Sequence, residues 1–405
     1  MNAINNYSVF TVCNMAYMPK ALVLAESLRK YNQKKLKIYI IDKKVDIGLP
    51  DDIAECTWIE DVSVPDLYML AFKYDITEFS TSLKPFLTIK LLEKYEKVIY
   101  FDPDICIYHS IEPILNDLNN HSIMLTPHYT TPQSNLLPDS DIGMMRFGSF
   151  NLGFYAIKRS EQVMCFLKWW EDRCRRFCYF ETQFGLSTDQ KWVSIAPCFF
   201  QDLYVSFNLG YNVAFWNLHE RKISKDSQCA YFVNGTYPLI FFHYSSFDEM
   251  NPEFLSKRFF FDKKNSRQDI LELSFSYNES LKKHKIKFSD NKYGFDYMSN
   301  GDYISPTLRR AYAAVADELQ PDHDPFDSNG PVGRFAARNN LLEKDFREFV
   351  VNSYDDIRKH KRKFEIINSL MRIILRLIGP NQFFNFSRLL VYLSSYRQNR
   401  DLWRL

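Results

Sequence analysis

The chain has 405 residues, of which 46% are hydrophobic and 25% are charged, and its formal net charge at pH 7 is +2. This balance excludes a disordered tail, a fibrous protein and a protein that coats nucleic acid, each of which needs a more biased composition. A chain of this length has room for one large α/β domain of roughly 250 residues and an appendage.

Cysteine usage and the absence of apolar runs indicate a cellular compartment. Eight cysteines are scattered through predicted core segments without a paired spacing, which is typical of reduced thiols in a cytosolic protein. The first seven residues lack the basic start and the apolar run of a signal peptide, and no stretch of about 18 uncharged apolar residues is present. We therefore expect a cytoplasmic protein without a membrane-spanning helix.

The amino-terminal part of the chain alternates strand and helix patterns. Strands are predicted at residues 7–13, 36–41, 56–59, 98–101, 122–126, 152–157 and 238–243. Helices are predicted between them, at about residues 19–28, 83–95, 112–118 and 160–177. Because such alternation is typical of a parallel sheet with crossover helices, we predict a Rossmann-like α/β domain over residues 1–255.

Residues 256–405 are predicted to form a mainly helical carboxyl-terminal extension. Helices are expected at about residues 268–283, 306–319, 343–378 with breaks, and 383–397. Residues 320–333 contain prolines and glycines among aspartates, which is typical of a loop or linker.

The last part of the extension is basic and amphipathic. Residues 357–405 carry eleven lysines and arginines against two acidic residues, interleaved with apolar residues at helical spacing. Such a helix either lies on an anionic bilayer or packs its apolar face on its own domain or a second copy, and the sequence leaves both open. A nucleic-acid partner is not expected, because the whole chain is nearly neutral and has no recognition motif.

The strongest chemical motif is Asp102-Pro103-Asp104, which directly follows the predicted strand 98–101. Open α/β sheets bind ligands beyond the carboxyl ends of their strands. Two carboxylates one residue apart can both reach a hard divalent cation, which can then bridge the diphosphate of a nucleotide. A turn that caps the next element is the alternative, and the motif alone leaves both interpretations open.

The order of further motifs resembles glycosyltransferase family 8, the retaining GT-A fold glycosyltransferases that include glycogenin and the bacterial lipopolysaccharide galactosyltransferases. The resemblance covers about residues 7–250. Its motifs in chain order are Cys13-Asn14 with Tyr17, Lys84, YFDPD ending at Asp104, FNLG at 150–153, Asp189-Gln190 and His243-Tyr244. The resemblance implies a GT-A nucleotide-sugar-binding domain followed by the helical extension.

The same resemblance implies a ligand set for a metal and for the donor. Asp102, Asp104 and His243 correspond to the residues that hold Mn2+ or Mg2+. The resemblance also implies that the nucleotide sugar is bound by Asn14, Tyr17, Asn151 and Gly153. Each set has structural alternatives: residue 14 could form a turn, residue 243 could be a core histidine, and residue 153 could lie in a strand bulge.

Three further residues resemble the family's catalytic groups. Lys84 would balance the charge of the diphosphate, Asp189 would bind sugar hydroxyls, and Gln190 would lie near the reacting carbon. An exposed lysine at a helix start, and a helix N-cap at residues 187–190, are the alternatives for these positions.

The sequence departs from the family pattern at the residues that bind the diphosphate. The family usually has a glycine and then a lysine after the histidine, whereas Tyr244 is followed here by Ser245-Ser246-Phe247-Asp248. Lys257 or Arg258 could supply the missing charge, with solvation at the surface as the alternative.

The resemblance implies a metal-dependent hexosyltransferase that moves a sugar from a UDP-sugar to a glycan or lipid-linked acceptor, with retention of configuration, in bacterial-type surface polysaccharide synthesis. An inverting transferase with Asp189 as general base is one alternative. A non-catalytic, membrane-associated assembly protein is the other.

Overall fold

The computed structural model describes residues 6–132, 140–258, 267–285, 288, 292–319, 324–344, 361–395 and 401. The chain forms two compact units, Met1–Leu67 with Ile76–Gly294, and Tyr68–Asp75 with Phe295–Leu405. The first unit thus extends beyond the predicted boundary at residue 255. The physical reason is a helix, Gln268–Lys285, whose buried face packs with the first unit's own core.

The first unit is organised around a mixed seven-stranded sheet. The described strands are β1 (Tyr7–Cys13), β2 (Leu36–Ile40), β3 (Ala54–Trp58), β4 (Lys97–Phe101), β5 (Ile105–Ile107), β6 (Ile123–Pro127), β7 (Phe150–Lys158), β8 (Phe180–Glu181), β9 (Leu186–Ser187), β10 (Leu203–Val205), β11 (Ile223–Lys225), β12 (Tyr231–Val233), β13 (Tyr237–Pro238) and β14 (Phe241–His243). The seven strands of the large sheet have the order β10-β6-β7-β4-β1-β2-β3. Within it β7 runs antiparallel to its two neighbours, and the other pairs are parallel. This architecture confirms the predicted α/β fold class.

Helices alternate with the strands along the chain and follow the last strand. The described helices are α1 (Met18–Asn32), α2 (Leu67–Lys73), α3 (Ile76–Ser82), α4 (Lys84–Leu92), α5 (Glu112–Asn120), α6 (Ser140–Phe147), α7 (Glu161–Phe177), α8 (Gln190–Val193), α9 (Gln268–Lys285), α10 (Pro306–Val315) and α11 (Pro331–Arg338). Two more, Lys361–Ile378 and Pro380–Ser394, are called here the C-terminal helix pair. Among the described helices, none combines the length and the apolar character that crossing a membrane requires.

Burial explains why the central strands form where the sequence predicts them. Every residue of β1 and of β4 is buried, because both faces of the sheet are covered.

Helix α7 begins after Ser160, whose side chain accepts a hydrogen bond from the amide of Val163. Pro19 lies in the first turn of α1, where its missing N–H leaves no bond unmade.

Strands β5 and β14 form a separate two-stranded sheet. Strand β14 pairs antiparallel with β5, so that His243 lies opposite Ile105. Strands β11, β12 and β13 form a separate small sheet just before β14 in the chain. The pairing of β5 with β14 therefore brings residue 243 next to the segment that follows β4.

The second unit has its own core around Arg309 of α10. This buried guanidinium donates hydrogen bonds to the carbonyls of Ala71, Phe72 and Tyr74, and it pairs with Asp296 at 2.7 Å. Buried charges are tolerated when they are paired and fully hydrogen-bonded, as this one is. The short segment 68–75 is thus held in the second unit, although it precedes most of the first unit in the chain.

The predicted linker at residues 320–333 is partly helical, which corrects the interpretation of its prolines and glycines. Pro331 and Gly333 lie in α11. A Cβ on Gly333 would lie 2.0 Å from the carbonyl oxygen of Ser328, so this glycine permits a close approach of two backbone segments. Of the predicted helix at 343–378, residues 345–360 lie outside the described residues, as do residues 320–323 of the linker.

Candidate active site

The acidic pair lies at the carboxyl end of β4, where the chain leaves the sheet and turns into β5. The amide of Asp102 donates to the carbonyl of Gly153 at 2.7 Å, which continues the β4–β7 pairing by one residue. The amide of Tyr244 donates to the carbonyl of Asp104 at 2.9 Å, which continues the β5–β14 pairing. Both aspartates are therefore fixed by backbone hydrogen bonds to strands that come from distant parts of the sequence.

His243 completes a cluster with the two aspartates. Its Nε2 atom lies 3.1 Å from Asp104 Oδ1 and 3.9 Å from Asp102 Oδ2. One ligand atom from each of the three residues lies within 4.8 Å of the others. The structure thus brings together the three residues that the sequence suggested as metal ligands.

The donor set and its surroundings fit a divalent cation. Two carboxylates and an imidazole are ligands that first-row divalent metals accept. Burial opposes the ionisation of Asp104, but His243 and Lys20 outweigh this effect and lower the pKa of Asp104 to about 2. Only a glycine at position 153 leaves room for the imidazole, because a Cβ there would lie 2.4 Å from His243 Cε1. Asp102, Asp104 and His243 could therefore hold a metal ion.

Lys84 is buried rather than solvated at the start of α4, and its side chain is only 4% exposed. Its Nζ atom lies 3.2 Å from Asp189 Oδ2 and 3.4 Å from Asp102 Oδ1, and it donates to the carbonyl of Leu152 at 3.0 Å. Burial acts to lower the pKa of Lys84, but the two carboxylates outweigh it and the pKa is raised. The lysine therefore connects the acidic pair to Asp189 as a permanent cation.

Asp189 and Gln190 lie at the beginning of α8, next to β7. The Asp189 side chain makes no capping hydrogen bond to α8, and Thr188 adopts a positive φ of 47° and donates to Asp189 Oδ1 at 3.1 Å. Burial raises the pKa of Asp189, and Lys84 offsets this only in part. Asp189 thus occupies the N-cap position of α8 without capping it through its side chain, and its carboxylate faces Lys84.

The Gln190 amide is engaged on both sides. Its Oε1 atom accepts from the amide of Leu152 at 3.2 Å, and its Nε2 atom donates to the carbonyl of Phe147 at 3.1 Å. Gln190 therefore ties α8 to β7 and to the end of α6, and its side chain lies beside the FNLG motif.

Asn14 and Tyr17 lie in the turn between β1 and α1. Asn14 Oδ1 accepts from the amide of Tyr17 at 3.2 Å, so the asparagine forms the turn that the sequence offered as an alternative. The ring of Tyr17 is 43% exposed, and Lys20 Nζ lies 4.2 Å from its centroid. This turn thus presents an aromatic ring and a cation.

Asn151 and Gly153 lie in β7 and contact the histidine's surroundings. Asn151 Oδ1 accepts hydrogen bonds from the amide of Gly153 at 3.1 Å and from Asn212 Nδ2 at 3.0 Å. The Asn151 amide also lies 3.4 Å from His128 Nε2, and burial lowers the pKa of His128 to about 4. His128 is therefore a neutral partner at neutral pH.

Lys257 and Arg258 have a different environment. The Lys257 amide donates to the carbonyl of Ser246 and the Arg258 amide to Ser256 Oγ. Within the part of the chain that the structure describes, no contact joins either side chain to the acidic pair.

Several residues of the site were not suggested by the sequence. They are Lys20, Tyr100, Asn212 and Trp216: Tyr100 donates to Asp102 Oδ1 at 2.6 Å, and the Trp216 ring meets the His243 ring edge-on with centroids 5.1 Å apart. Tyr100 lies within the predicted strand 98–101 and Lys20 within the predicted helix 19–28, so the polar atoms of these two elements could have indicated them. Asn212 and Trp216 come from irregular segments, and no sequence pattern marks them.

Comparisons with known proteins found one matching family model and two related proteins. The family model described as Glycosyl transferase family 8 matches residues 8–164. The uncharacterized protein YfnD of Bacillus subtilis (strain 168) is 24% identical over 246 residues, which are 58% of this chain and 76% of that protein. The uncharacterized protein YfnF of the same strain is 25% identical over 176 residues, 43% of this chain and 58% of that protein.

Solved structures of glycosyltransferases are also similar. The galactosyltransferase LgtC in complex with donor and acceptor sugar analogs has 14% identity and a TM-score of 0.40, covering 67% of this chain and 95% of that one. The glycosyltransferase GlyE of Streptococcus pneumoniae TIGR4 has 13% identity and a TM-score of 0.39, covering 68% and 63%. Residues 8–164, which include β1, β4, the acidic pair and β7, are thus similar to glycosyltransferase family 8.

Proposed function

We propose that this chain is a metal-dependent hexosyltransferase that moves one sugar from a UDP-sugar to a glycan or lipid-linked acceptor, with retention of anomeric configuration. The observation that carries the proposal is the meeting of Asp102, Asp104 and His243 within 4.8 Å at the carboxyl end of β4. Ligand sites of open α/β sheets lie at this edge.

Mn2+ or Mg2+ is the proposed occupant of this cluster. A bound divalent cation would neutralise the diphosphate of the donor and so make it a better leaving group. The chain contributes the ionised Asp104, the imidazole that Gly153 accommodates, and Asp102, which Tyr100 and Lys84 hold in place.

Two lysines are proposed to balance the charge that develops on the departing diphosphate. Lys84 is fixed between Asp102 and Asp189, so it needs no reorganisation during the reaction. Lys20 lies over Tyr17 and its charge acts on Asp104, so it can replace the lysine that is missing after His243. The exposed face of Tyr17 and the adjacent Asn14 are proposed to hold the nucleoside.

The sugar is proposed to lie between β7 and α8. Asn151 and Gly153 line one side, and Asp189 and Gln190 line the other, with Leu152 bridging to Gln190. In the proposed retaining reaction the departing diphosphate oxygen takes the acceptor's proton, and Asp189 stabilises the cationic sugar. The raised pKa of Asp189 favours the second candidate, an inverting reaction in which this carboxylate is the general base. The anomeric proton of the product, observed by NMR, distinguishes the two.

A thermal-shift screen tests the central proposal. UDP-sugars with Mn2+ should raise the melting temperature of the wild-type protein, because a ligand that binds only the folded state stabilises it. Asp102→Ala and Asp104→Ala should abolish both the metal-dependent shift and sugar transfer. Asp46→Ala, at an exposed aspartate, is the matched control and should leave both intact. Transfer that persists in either site variant would contradict the proposal.

We also propose an anionic membrane surface as a partner, at the cytoplasmic face, where a lipid-linked acceptor for surface polysaccharide synthesis would be presented. In the first helix of the C-terminal helix pair, Ile366, Leu370, Ile373 and Leu377 recur on one face, and each is more than half exposed. Phe384 of the second helix is 59% exposed. Residues 361–394 carry six basic side chains and one acidic one, which complements an anionic bilayer.

Flotation with lipid vesicles tests this partner. The wild-type protein should float with vesicles that contain phosphatidylglycerol and remain behind with pure phosphatidylcholine. Leu377→Glu combined with Phe384→Glu should abolish flotation, whereas Phe275→Glu, at an aromatic residue of α9 that is 47% exposed, should not. Concentration-dependent dimerisation without flotation would indicate a second copy as the partner and overturn the membrane proposal. Flotation of a protein that binds no nucleotide would favour the non-catalytic assembly protein.

A further inference from the structure

A chain of hydrogen bonds leads from a backbone amide to the histidine of the acidic cluster. The amide of Gly153 donates to the side-chain oxygen of Asn151 at 3.1 Å. A backbone N–H can only donate, so the atom of Asn151 that faces it must be the oxygen. The orientation of the Asn151 amide is thereby fixed by the main chain.

The same argument fixes the next amide. The oxygen of Asn151 also faces the Asn212 side chain at 3.0 Å, and two oxygens without a proton between them would repel each other. Asn212 must therefore present its nitrogen to Asn151, and this nitrogen also lies 3.0 Å from Thr126 Oγ1. The remaining atom of the amide, Asn212 Oδ1, lies 3.2 Å from His243 Nδ1.

An oxygen at this place determines the protonation of the imidazole ring. Asn212 Oδ1 can only accept, so Nδ1 of His243 must carry the hydrogen. The other nitrogen, Nε2, lies 3.1 Å from Asp104 Oδ1, where either a hydrogen or a divalent cation can join the two atoms, and it offers a lone pair to the cation once that hydrogen has left.

The segment that carries Asn212 is held rigidly. Asn212 is fully buried and adopts a positive φ of 51°, a conformation that asparagine tolerates better than most residues. Asn217 donates to the carbonyl of Asn212 at 2.9 Å, and the amide of His243 donates to the carbonyl of Val213 at 2.7 Å. Asn212 and His243 are thus fixed to each other through backbone as well as side chains.

We infer that Asn212 is a positioning residue, which holds His243 in the tautomer that leaves Nε2 available to a divalent cation. This inference rests on the metal site of the proposed function. Partners that orient a ligating histidine commonly change metal affinity by about tenfold to a hundredfold when they are removed.

Three variants of the full chain separate the role of this oxygen from that of the surrounding packing. Asn212→Gly tolerates the positive φ and removes the acceptor, so Mn2+ affinity measured by titration calorimetry should fall by about tenfold to a hundredfold. Asn212→Asp retains an oxygen opposite Nδ1 but places a second oxygen opposite Asn151 Oδ1, so it should recover part of that loss. Thr126→Val removes the other partner of the Asn212 nitrogen and should bind Mn2+ as the wild type does.

A second measurement reads the tautomer itself and needs no metal. In long-range 15N–1H NMR spectra at a pH where the imidazole is neutral, with the His243 signals assigned by a His243→Gln variant, the wild type should show the hydrogen on Nδ1. Asn212→Asp and Thr126→Val should show the same state, and Asn212→Gly should show a mixture or the hydrogen on Nε2. If Asn212→Gly does not fold, the Asn212→Asp spectrum still decides, because loss of the Nδ1 hydrogen there would overturn the inference.

The outcomes distinguish this inference from the function on which it rests. A wild-type protein that fails to bind Mn2+ would overturn the proposed function and the inference together. A wild-type protein that binds Mn2+, alongside an Asn212→Gly variant with the same affinity and the same tautomer, would overturn the role of Asn212 alone.

Discussion

The cluster at the end of β4 and the C-terminal helix pair differ in which side chains they bury and which they expose. In the cluster, the charged and polar groups are buried except for the half-buried Asp102, and each carboxylate faces a lysine, a histidine or a hydroxyl. In the helix pair, large apolar side chains are exposed, and the basic residues are far more numerous than the acidic ones.

Both arrangements are costly for an isolated folded chain. Burying charge loses hydration, and exposing a broad apolar face forgoes the main driving force of folding. The proposed partners differ accordingly: a small cation and a diphosphate for the cluster, and an extended apolar and anionic surface for the helix pair. Substitutions should therefore act on stability at the first region and on association at the second.

The largest effect is expected from removing the buried cation. Lys84→Met should leave Asp102 and Asp189 without their partner and should lower the free energy of unfolding by about 3–5 kcal/mol, as for other broken buried pairs. Urea denaturation measures this loss. Lys90→Met, at an exposed lysine of the same helix, should change the stability little.

A double variant sharpens this test. Lys84→Met combined with Asp189→Asn should recover part of the lost stability, because one of the two orphaned charges is then removed. A double variant that is less stable than Lys84→Met alone would show that the pair is not the reason for the effect.

Gly153→Ala should be next in size. The added methyl group would lie 2.4 Å from His243 Cε1 and 2.7 Å from Nδ1, so the imidazole must move away from the aspartates. We expect a loss of about 1–3 kcal/mol in unfolding free energy from overpacking, and a weaker Mn2+ affinity in calorimetry. Gly48→Ala is the matched control, since nothing lies within 4 Å of its added methyl group. Equal metal affinities in the two variants would contradict the placement of His243.

The acid stability of the metal-free protein should reflect Asp104. Its pKa in the folded state is lowered from 3.8 to about 2, because His243 and Lys20 outweigh the effect of burial. A lowered folded-state pKa contributes stability that is present above about pH 4 and is lost as the pH falls toward 2, a contribution of roughly 2 kcal/mol. With EDTA present, the wild-type advantage over Asp104→Asn in urea denaturation should shrink across this window. An advantage that stays constant from pH 5 to pH 2.5 would show that the folded-state pKa is not lowered.

The sequence predicted the parts of the fold that follow from local periodicity. Strand β4 is a run of apolar residues, and Asp102 follows it directly, so the position of the acidic pair at a strand end could be predicted. The small sheet β11–β13 was missed because its strands have two or three residues and little periodicity. Helices α2 and α3 were missed for the same reason, each being only seven residues long.

At the site, the sequence could not predict several residues, and the reason is different. His243 and Lys84 could be named only through the resemblance, since nothing in their local sequence shows that one pairs with Asp104 and the other with Asp189. Asn212 has neither a motif nor a periodic neighbourhood, and its contact with His243 depends on a positive φ and on the β5–β14 pairing. Such contacts arise from tertiary structure, which a pattern along the chain does not contain.

The smallest effect on stability is expected in the helix pair, and there it should coincide with a large effect on association. Leu377 is 79% exposed, so Leu377→Glu should change the unfolding free energy by no more than about 0.5 kcal/mol, the usual range for surface substitutions. The binding of the Leu377→Glu variant to anionic vesicles should nevertheless weaken. The remaining binding should decrease with added salt, since each basic residue near the membrane surface contributes about 1 kcal/mol of attraction, which salt screens. Ser369→Glu, on an exposed polar position of the same helix, adds the same charge without removing apolar surface and should weaken binding less. If Leu377→Glu instead destabilised the protein by several kcal/mol and left vesicle binding intact, the exposed face would have a structural partner within the folded protein, and the contrast between the two regions would fail.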